Sequence, residues 1–166
     1  LLLRKGYAAD QALQILKGSG LARALVAASG DIAVGNPPPK RRGWKIAITV
    51  PGGQTNRAPR TVLLRNAGIS TSGDTEQFIE IDGIRYSHIV DPTTGLGLTQ
   101  RIQATVIGPD ATTSDSLDTA VSLLGAKRGL DLIQSWPHAS ALIVTWENGR
   151  SQVYVSRQFP RDVSRR

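Results

Sequence analysis

The sequence predicts an α+β fold, a sandwich of mostly antiparallel strands with packed helices, and three observations carry that expectation. Asp82-Gly83 separates two alternating apolar runs, the strongest short-range hairpin signal available. A second such pair of runs surrounds Glu147-Asn148-Gly149 near the end of the chain. Between and before them, residues 4–17 and 114–124 space their apolar side chains at helical intervals.

Taken in order, residues 4–17 place Ala8, Ala9, Ala12, Leu13 and Leu16 on one helical face and stop at Gly18-Ser19-Gly20. Residues 21–28 form a small-residue apolar run that predicts a buried strand, and Ser29-Gly30-Asp31 turns it into a second strand at 32–34. A Pro-rich basic loop, 36–42, leads to a strand at 44–50. A polar loop at 51–59 precedes the returning strand at 61–65. Residues 67–74, AGISTSGD, are dense in hydroxyls and glycine and read as a loop. The hairpin strands follow at 78–81 and 84–89, and a further strand at 103–107. Thr113 or Ser114 is the expected cap of a helix to about Leu124, and Gly125 separates it from a second helical run through Ile133. Strands at 139–145 and 152–155 close the chain. No internal repeat or heptad pattern is present.

The 166 residues suffice for one domain with a core, and a 40% hydrophobic fraction fits a globular protein. Without cysteine, disulfides and thiolate metal sites are excluded. No apolar run reaches the roughly 18–20 residues of a membrane span. The chain has no methionine and begins with leucine, so it is expected to start downstream of the translation start, leaving room for a signal peptide, a lipid anchor or half of the fold. The net charge of +7 raises nucleic acid as a partner, yet much of the excess sits in Lys40-Arg41-Arg42 and in Arg157, Arg161, Arg165 and Arg166 of the tail. With two Phe and three Tyr there is little for bases to stack on, so nucleic acid is not an expected partner.

The stretch Arg85–Gly95, RYSHIVDPTTG, is the first candidate to carry chemistry: it delivers His88 to the end of a strand beside a loop holding Asp91, Thr93 and Thr94. Backbone N–H groups and hydroxyls there, Thr94 included, could hold phosphate oxygens, as could Ser70-Thr71-Ser72-Gly73. The plainer reading makes His88 a half-buried strand histidine. His138, after Pro137, reads as surface. On the helix from Ser114, Leu117, Ala120, Val121 and Leu124 fall on one side, and Asp115, Asp118 and Thr119 on the other. Two carboxylates and a hydroxyl so spaced, with Asp115 in the first turn, could converge on a hard cation such as Mg²⁺. First-turn acids also complement the helix dipole, and an outward face is polar anyway; spacing alone favours that reading. Lys5, beside Gly6 near a helix start, could meet an anion or be solvated.

Taken together, RYSHIVDPTTG, the upstream GISTSGD and the downstream SDSLDTAVSLLG resemble the ApbE family of FAD:protein FMN transferases. KGYAADQALQIL, ALVAASGDIAVG and GWKIAITVP fall in the family's order, so the resemblance covers essentially the whole chain. It implies an ApbE-like, T-fold-like sandwich present as its C-terminal portion over residues 1–156, with 157–166 as a basic tail. It also implies an enzyme that binds FAD and Mg²⁺, attaches FMN to a threonine or serine of an acceptor protein, and releases AMP. Carried over by position, His88 matches the histidine that contacts FAD. Asp115, Asp118 and Thr119 match the metal-binding helix, the Leu2 carbonyl a further metal ligand, and Lys5 a flavin-contact position. An FAD pyrophosphatase and a non-catalytic FAD-binding module are the alternatives. A periplasmic or membrane-tethered location follows from the resemblance alone. The chain departs from the family's pattern at Ser29, where a glycine is usual, at Thr75, where an aromatic is usual, and at Leu96-Gly97-Leu98, where a proline is usual.

Overall fold

A computed structural model describes residues 4–49, 59–73 and 78–164. Helix α1 (Arg4–Gly18) opens the chain and buries Ala9 and Leu13, the apolar stripe that its spacing predicts. Strands β1 (Leu25–Ala28) and β2 (Asp31–Val34) form a hairpin turned by Ser29-Gly30. β3 (Trp44–Ile48) and β4 (Arg60–Leu64) pair separately. β5 (Ala67–Gly73) follows, then the hairpin β6 (Phe78–Ile81) and β7 (Ile84–Ser87), turned at Asp82-Gly83 as expected. β8 (Arg101–Gly108), helix α2 (Ala111–Ser135), β9 (Ser140–Glu147) and β10 (Arg150–Val155) complete the order.

Six strands make one antiparallel sheet in the order β1-β2-β5-β8-β9-β10. Its two faces carry different cores, because side chains alternate along each strand. On one face Ile102, Ala104, Val106, Ala141 and Ile143 pack against Leu117, Val121 and Ile133 of α2. On the other, Ile69, Ile107, Leu142 and Val144 pack under Ile46, Ile48, Val62 and Leu64 of the β3–β4 pair. A third cluster joins Ala9 and Leu13 of α1 to Ala33 and to Ala111 of α2. This is the α+β sandwich that the sequence predicts.

Four local expectations are corrected. Residues 67–73 are a central strand between β2 and β8, not a hydroxyl-rich loop. Their small side chains are required because α2 starts directly on them: a Cβ on Gly68 would lie 2.1 Å from the carbonyl carbon of Asp110. Helix α2 is capped by Asp110, whose carboxylate accepts the Thr113 N–H at 2.7 Å, three residues before the expected Thr113 and four before Ser114. Asp115 therefore stands in the second turn. The strand expected at 84–89 ends at Ser87, so His88 lies just beyond it. The helix break at Gly125 (φ 76, ψ 173) is where the sequence places it.

Residues 159–164 of the segment that charge sets apart as a tail are docked along β4. Phe159 is buried in the β3–β4 core, under the Arg60 guanidinium at 5.1 Å. The Val163 N–H donates to the Thr61 carbonyl (2.8 Å), and Asp162 accepts from the N–H groups of Thr61 (3.0 Å) and Ser164 (2.9 Å). Burying one phenyl ring is worth about 1.5–3 kcal/mol. Repulsion among exposed arginines is worth less than about 1 kcal/mol, so the apolar contact decides.

The two helices grip each other from both ends. Asp10 of α1 accepts from the Ala111 N–H (3.0 Å), the Thr112 N–H (2.8 Å) and the Thr112 hydroxyl (2.6 Å), satisfying donors that a helix start leaves open. Asp115 of α2 accepts in return from the Gly6 N–H at 3.1 Å.

Two expectations follow. Asp10→Ala should lower the free energy of urea unfolding by about 2 kcal/mol, and Asp10→Asn by about half that; losses within about 0.5 kcal/mol would mean that the clamp carries no stability. The backbone N–H groups of Ser164 and Thr61 hold the Asp162 carboxyl below its ordinary 3.8. A depressed folded value stabilises fully above the unfolded value and is lost as pH falls through the folded one. Asp162→Ala should therefore be less stable than the parent near neutral pH, and the gap should close in acid below 3.8; a gap independent of pH would refute this.

Candidate functional site

At the end of the sheet where β2 and β8 begin and β5 ends, a cavity of about 600 Å³ opens between the two layers. One wall is apolar, built from Ile32, Ile46, Ile48 and Ile69. The other carries Lys5, Asp31, Asp115, Asp118 and Thr119, with His88 at the rim. The apolar wall is held in place by Gln103, buried at 3% exposure, whose amide donates to the Thr49 carbonyl just after β3 at 2.8 Å.

The polar wall is a charge concentration in a dry place. Asp118 is 1% exposed, Asp31 3%, Thr119 7% and Asp115 8%. The Ser70 hydroxyl touches both Asp31 and Asp118, and the Thr119 hydroxyl donates to Asp118 at 3.2 Å. The Ser70 hydroxyl has one proton to give, so it serves only one of the two carboxyls at a time. Asp118 is the more deeply buried of the pair. Burial pushes its carboxyl well above the usual carboxylate range against the opposing Ser70 bond, and the charges of Asp115 and Asp31 push it further. Asp115 is raised by burial too, with the Gly6 N–H opposing, Asp31 adding and Lys5 subtracting. Lys5 reaches Asp31 at 3.8 Å, but its side chain is 61% exposed, so solvent weakens that compensation.

The site residues that the sequence suggests are thus only partly gathered. Lys5, His88, Asp115, Asp118 and Thr119 line the one cavity. Thr94 does not: it is exposed, and its hydroxyl accepts from the Leu96 N–H at 3.3 Å while Asp91 accepts from the Thr93 N–H at 2.8 Å, so the loop closes on itself. Leu2 lies outside the described residues. His138 is exposed, as expected. Asp31 and Gln103 are the members that sequence reasoning missed. Asp31 stood in a turn signal; its mark is a charge opening the otherwise apolar strand Ile32-Ala33-Val34.

Among the described residues, no three His, Cys, Asp or Glu side chains stand close enough to hold a metal ion between them. The donor chemistry nonetheless suits a hard cation. The wall offers only oxygens, two of them buried carboxylates one helical turn apart, and its negative charge is poorly offset.

Residues 3–143 match the model of the ApbE family. The chain is 32% identical over 156 residues to the FAD:protein FMN transferase of Klebsiella pneumoniae (strain 342), covering 93% of this chain and 44% of that one. It is 30% identical to the FAD:protein FMN transferase of Escherichia coli (strain K12), with the same coverage. Among solved structures, the flavin transferase ApbE of Vibrio cholerae superposes with a TM-score of 0.81 at 29% identity, over 95% of this chain and 50% of that one. The ApbE protein of Thermotoga maritima superposes with 0.80 at 33% identity and the same coverage. The chain spans about half the length of the curated relatives it matches. With a family match running from α1 into β9, and the same fold in its solved members, the chain belongs to the ApbE family.

Proposed function

We propose that this chain supplies the diphosphate-facing part of a site that transfers FMN from FAD to a threonine or serine hydroxyl of an acceptor protein. The acceptor oxygen bonds to the FMN phosphorus, the P–O bond to the bridging oxygen breaks, AMP leaves with that oxygen, and the hydroxyl proton passes to a base. The observation that supports the reading is the meeting of Lys5, His88, Asp31, Asp115 and Asp118 on one cavity, in a chain whose matched relatives are flavin transferases by name.

Each part has work to do on this reading. The isoleucine wall gives a flat ring an apolar surface, and Gln103 keeps that wall at a fixed distance from the carboxylates. Asp115, Asp118 and Thr119 would hold Mg²⁺, which when bound neutralises diphosphate charge. The exposed Lys5 is free of tight packing and can turn from Asp31 to a phosphate oxygen. His88, exposed and lining the same cavity, is the group proposed to take the proton of the acceptor hydroxyl. The periplasmic or membrane-tethered location belongs to the same proposal.

Incubation with FAD, Mg²⁺ and a threonine-bearing acceptor should release AMP and leave flavin fluorescence on the acceptor in a denaturing gel. His88→Ala and Asp118→Asn should each reduce the rate by at least about a hundredfold. AMP with free FMN would instead indicate a pyrophosphatase, and FAD binding without AMP a binding module. Independently of turnover, Mg²⁺ at about ten times its dissociation constant should raise the melting temperature by about 4 °C. Asp118→Asn should abolish that shift; an equal shift in the variant would remove Asp118 from the metal site.

A further inference from the structure

The excess positive charge is not spread evenly. Residues 17–49 carry six basic residues and one acid, Asp31, and residues 59–73 carry Arg60 and Arg65 with no acid at all. Asp31 lies at the cavity. The fold collects most of these cations at the opposite end of the sheet. There the Gly35 and Asn36 N–H groups donate to the Ala24 and Ala22 carbonyls, each at 2.9 Å, which brings Arg23 beside the loop that carries Lys40, Arg41 and Arg42. The Asn66 N–H donates to the Gly35 carbonyl at 3.0 Å, and Trp44 pairs with Leu64, which adds Arg65 and Lys45.

All six, Arg23, Lys40, Arg41, Arg42, Lys45 and Arg65, are exposed, and none forms an ion pair with a described residue. Beside them Leu21 is 59% exposed, and Pro37-Pro38-Pro39 leads directly into Lys40. We propose that this end of the molecule docks on an anionic lipid surface, its arginines and lysines among the headgroups and Leu21 at the interface. The patch is broad and its cations are unpaired with any described residue, which suits a charged plane better than a discrete ligand. Its place in the fold also selects the occupant. β5 runs seven residues from Ala67 at the patch to Gly73 at the cavity, about 20 Å at strand rise, so a partner bound at the patch would lie far from the cavity mouth. A surface bound there leaves the mouth facing outward. None of this depends on the transferase reading, since the docking end shares no residue with the cavity.

Co-sedimentation tests it directly, with vesicles of phosphatidylcholine containing about 30% phosphatidylglycerol against phosphatidylcholine alone. The protein should partition onto the anionic vesicles at low ionic strength and be released by about 0.5 M salt, where the screening length falls to a few ångströms. Each basic residue at such a surface is worth about fivefold in partition, so Arg41→Ser/Arg42→Ser should lose about 25-fold. Lys127→Ser/Arg128→Ser, an exposed pair on α2 across the sheet, should leave partition within about twofold of the parent. Unchanged circular dichroism of both variants guards against misfolding. Equal affinity for neutral vesicles, no binding, or indifference to the Arg41/Arg42 change would overturn the proposal. So would tighter capture by polyglutamate or a polynucleotide at the same salt, which would mark the patch as a protein or nucleic-acid interface.

Discussion

The contact on which the site depends is the close crossing of α1 and α2. A Cβ on Gly6 would sit 2.4 Å from the Ala111 carbonyl oxygen, so only glycine lets the first turn of α1 lie on the first turn of α2. At that distance each helix completes the other: Asp10 takes the open donors of α2, and Asp115 takes the Gly6 N–H. One crossing therefore sets two cavity positions at once. Lys5 is fixed at the neighbour of the glycine, and Asp115 is fixed as the acceptor opposite it. Neither position could move without opening donors that have no other described partner, and that coupling makes the lysine and the carboxylates a constellation.

The carboxylates of the cavity cost stability, and the sheet shows how the cost is contained. Asp31 and Asp118 come from different layers, β2 and α2, and meet through Ser70 of β5 between them. An apolar side chain at that place would take the Ser70 hydroxyl from both, leaving buried Asp118 with Thr119 alone and Asp31 with only the exposed Lys5, at about 1–3 kcal/mol for the lost bond. The choice of serine and glycine in β5, poor for strand propensity, is thus set by what lies on either side: the helix start over Gly68 and the carboxyl pair at Ser70. Local preference yields here to tertiary contacts on either side of the strand.

That conflict also explains what was legible in the sequence. Elements governed by their own pattern were readable: α1 from its apolar spacing, both Asx-Gly hairpins from their turns, the break at Gly125. β5 was not, because its composition answers to neighbours that are distant in the chain. The same holds for Asp31, a turn residue by local rules and a buried carboxylate by tertiary ones. On α2 the spacing showed that Asp115, Asp118 and Thr119 share a face, but an isolated amphipathic helix predicts that face in water. It is buried instead because α1 and β5 cover it, and only the fold could show that. Phe159 gave a weak signal, a single aromatic among arginines, and the charge around it hid a core residue.

The distribution of charge bears on the chemistry proposed for the cavity. The chain as a whole is strongly cationic, and its field would draw an anionic dinucleotide toward it. The cavity is the reverse, with three carboxyls in its wall and one solvent-exposed lysine near them. A diphosphate entering that wall unaccompanied would meet like charge at low dielectric, where repulsion is strongest. A simple anion pocket would be lined with arginines and backbone N–H groups; this one is lined with acids that are themselves short of counter-charge. On the proposed reading, the cation that Asp115, Asp118 and Thr119 would hold would stand between that wall and the diphosphate. The same argument applies to any reading in which FAD binds here, catalytic or not, so the Mg²⁺ proposal does not depend on turnover.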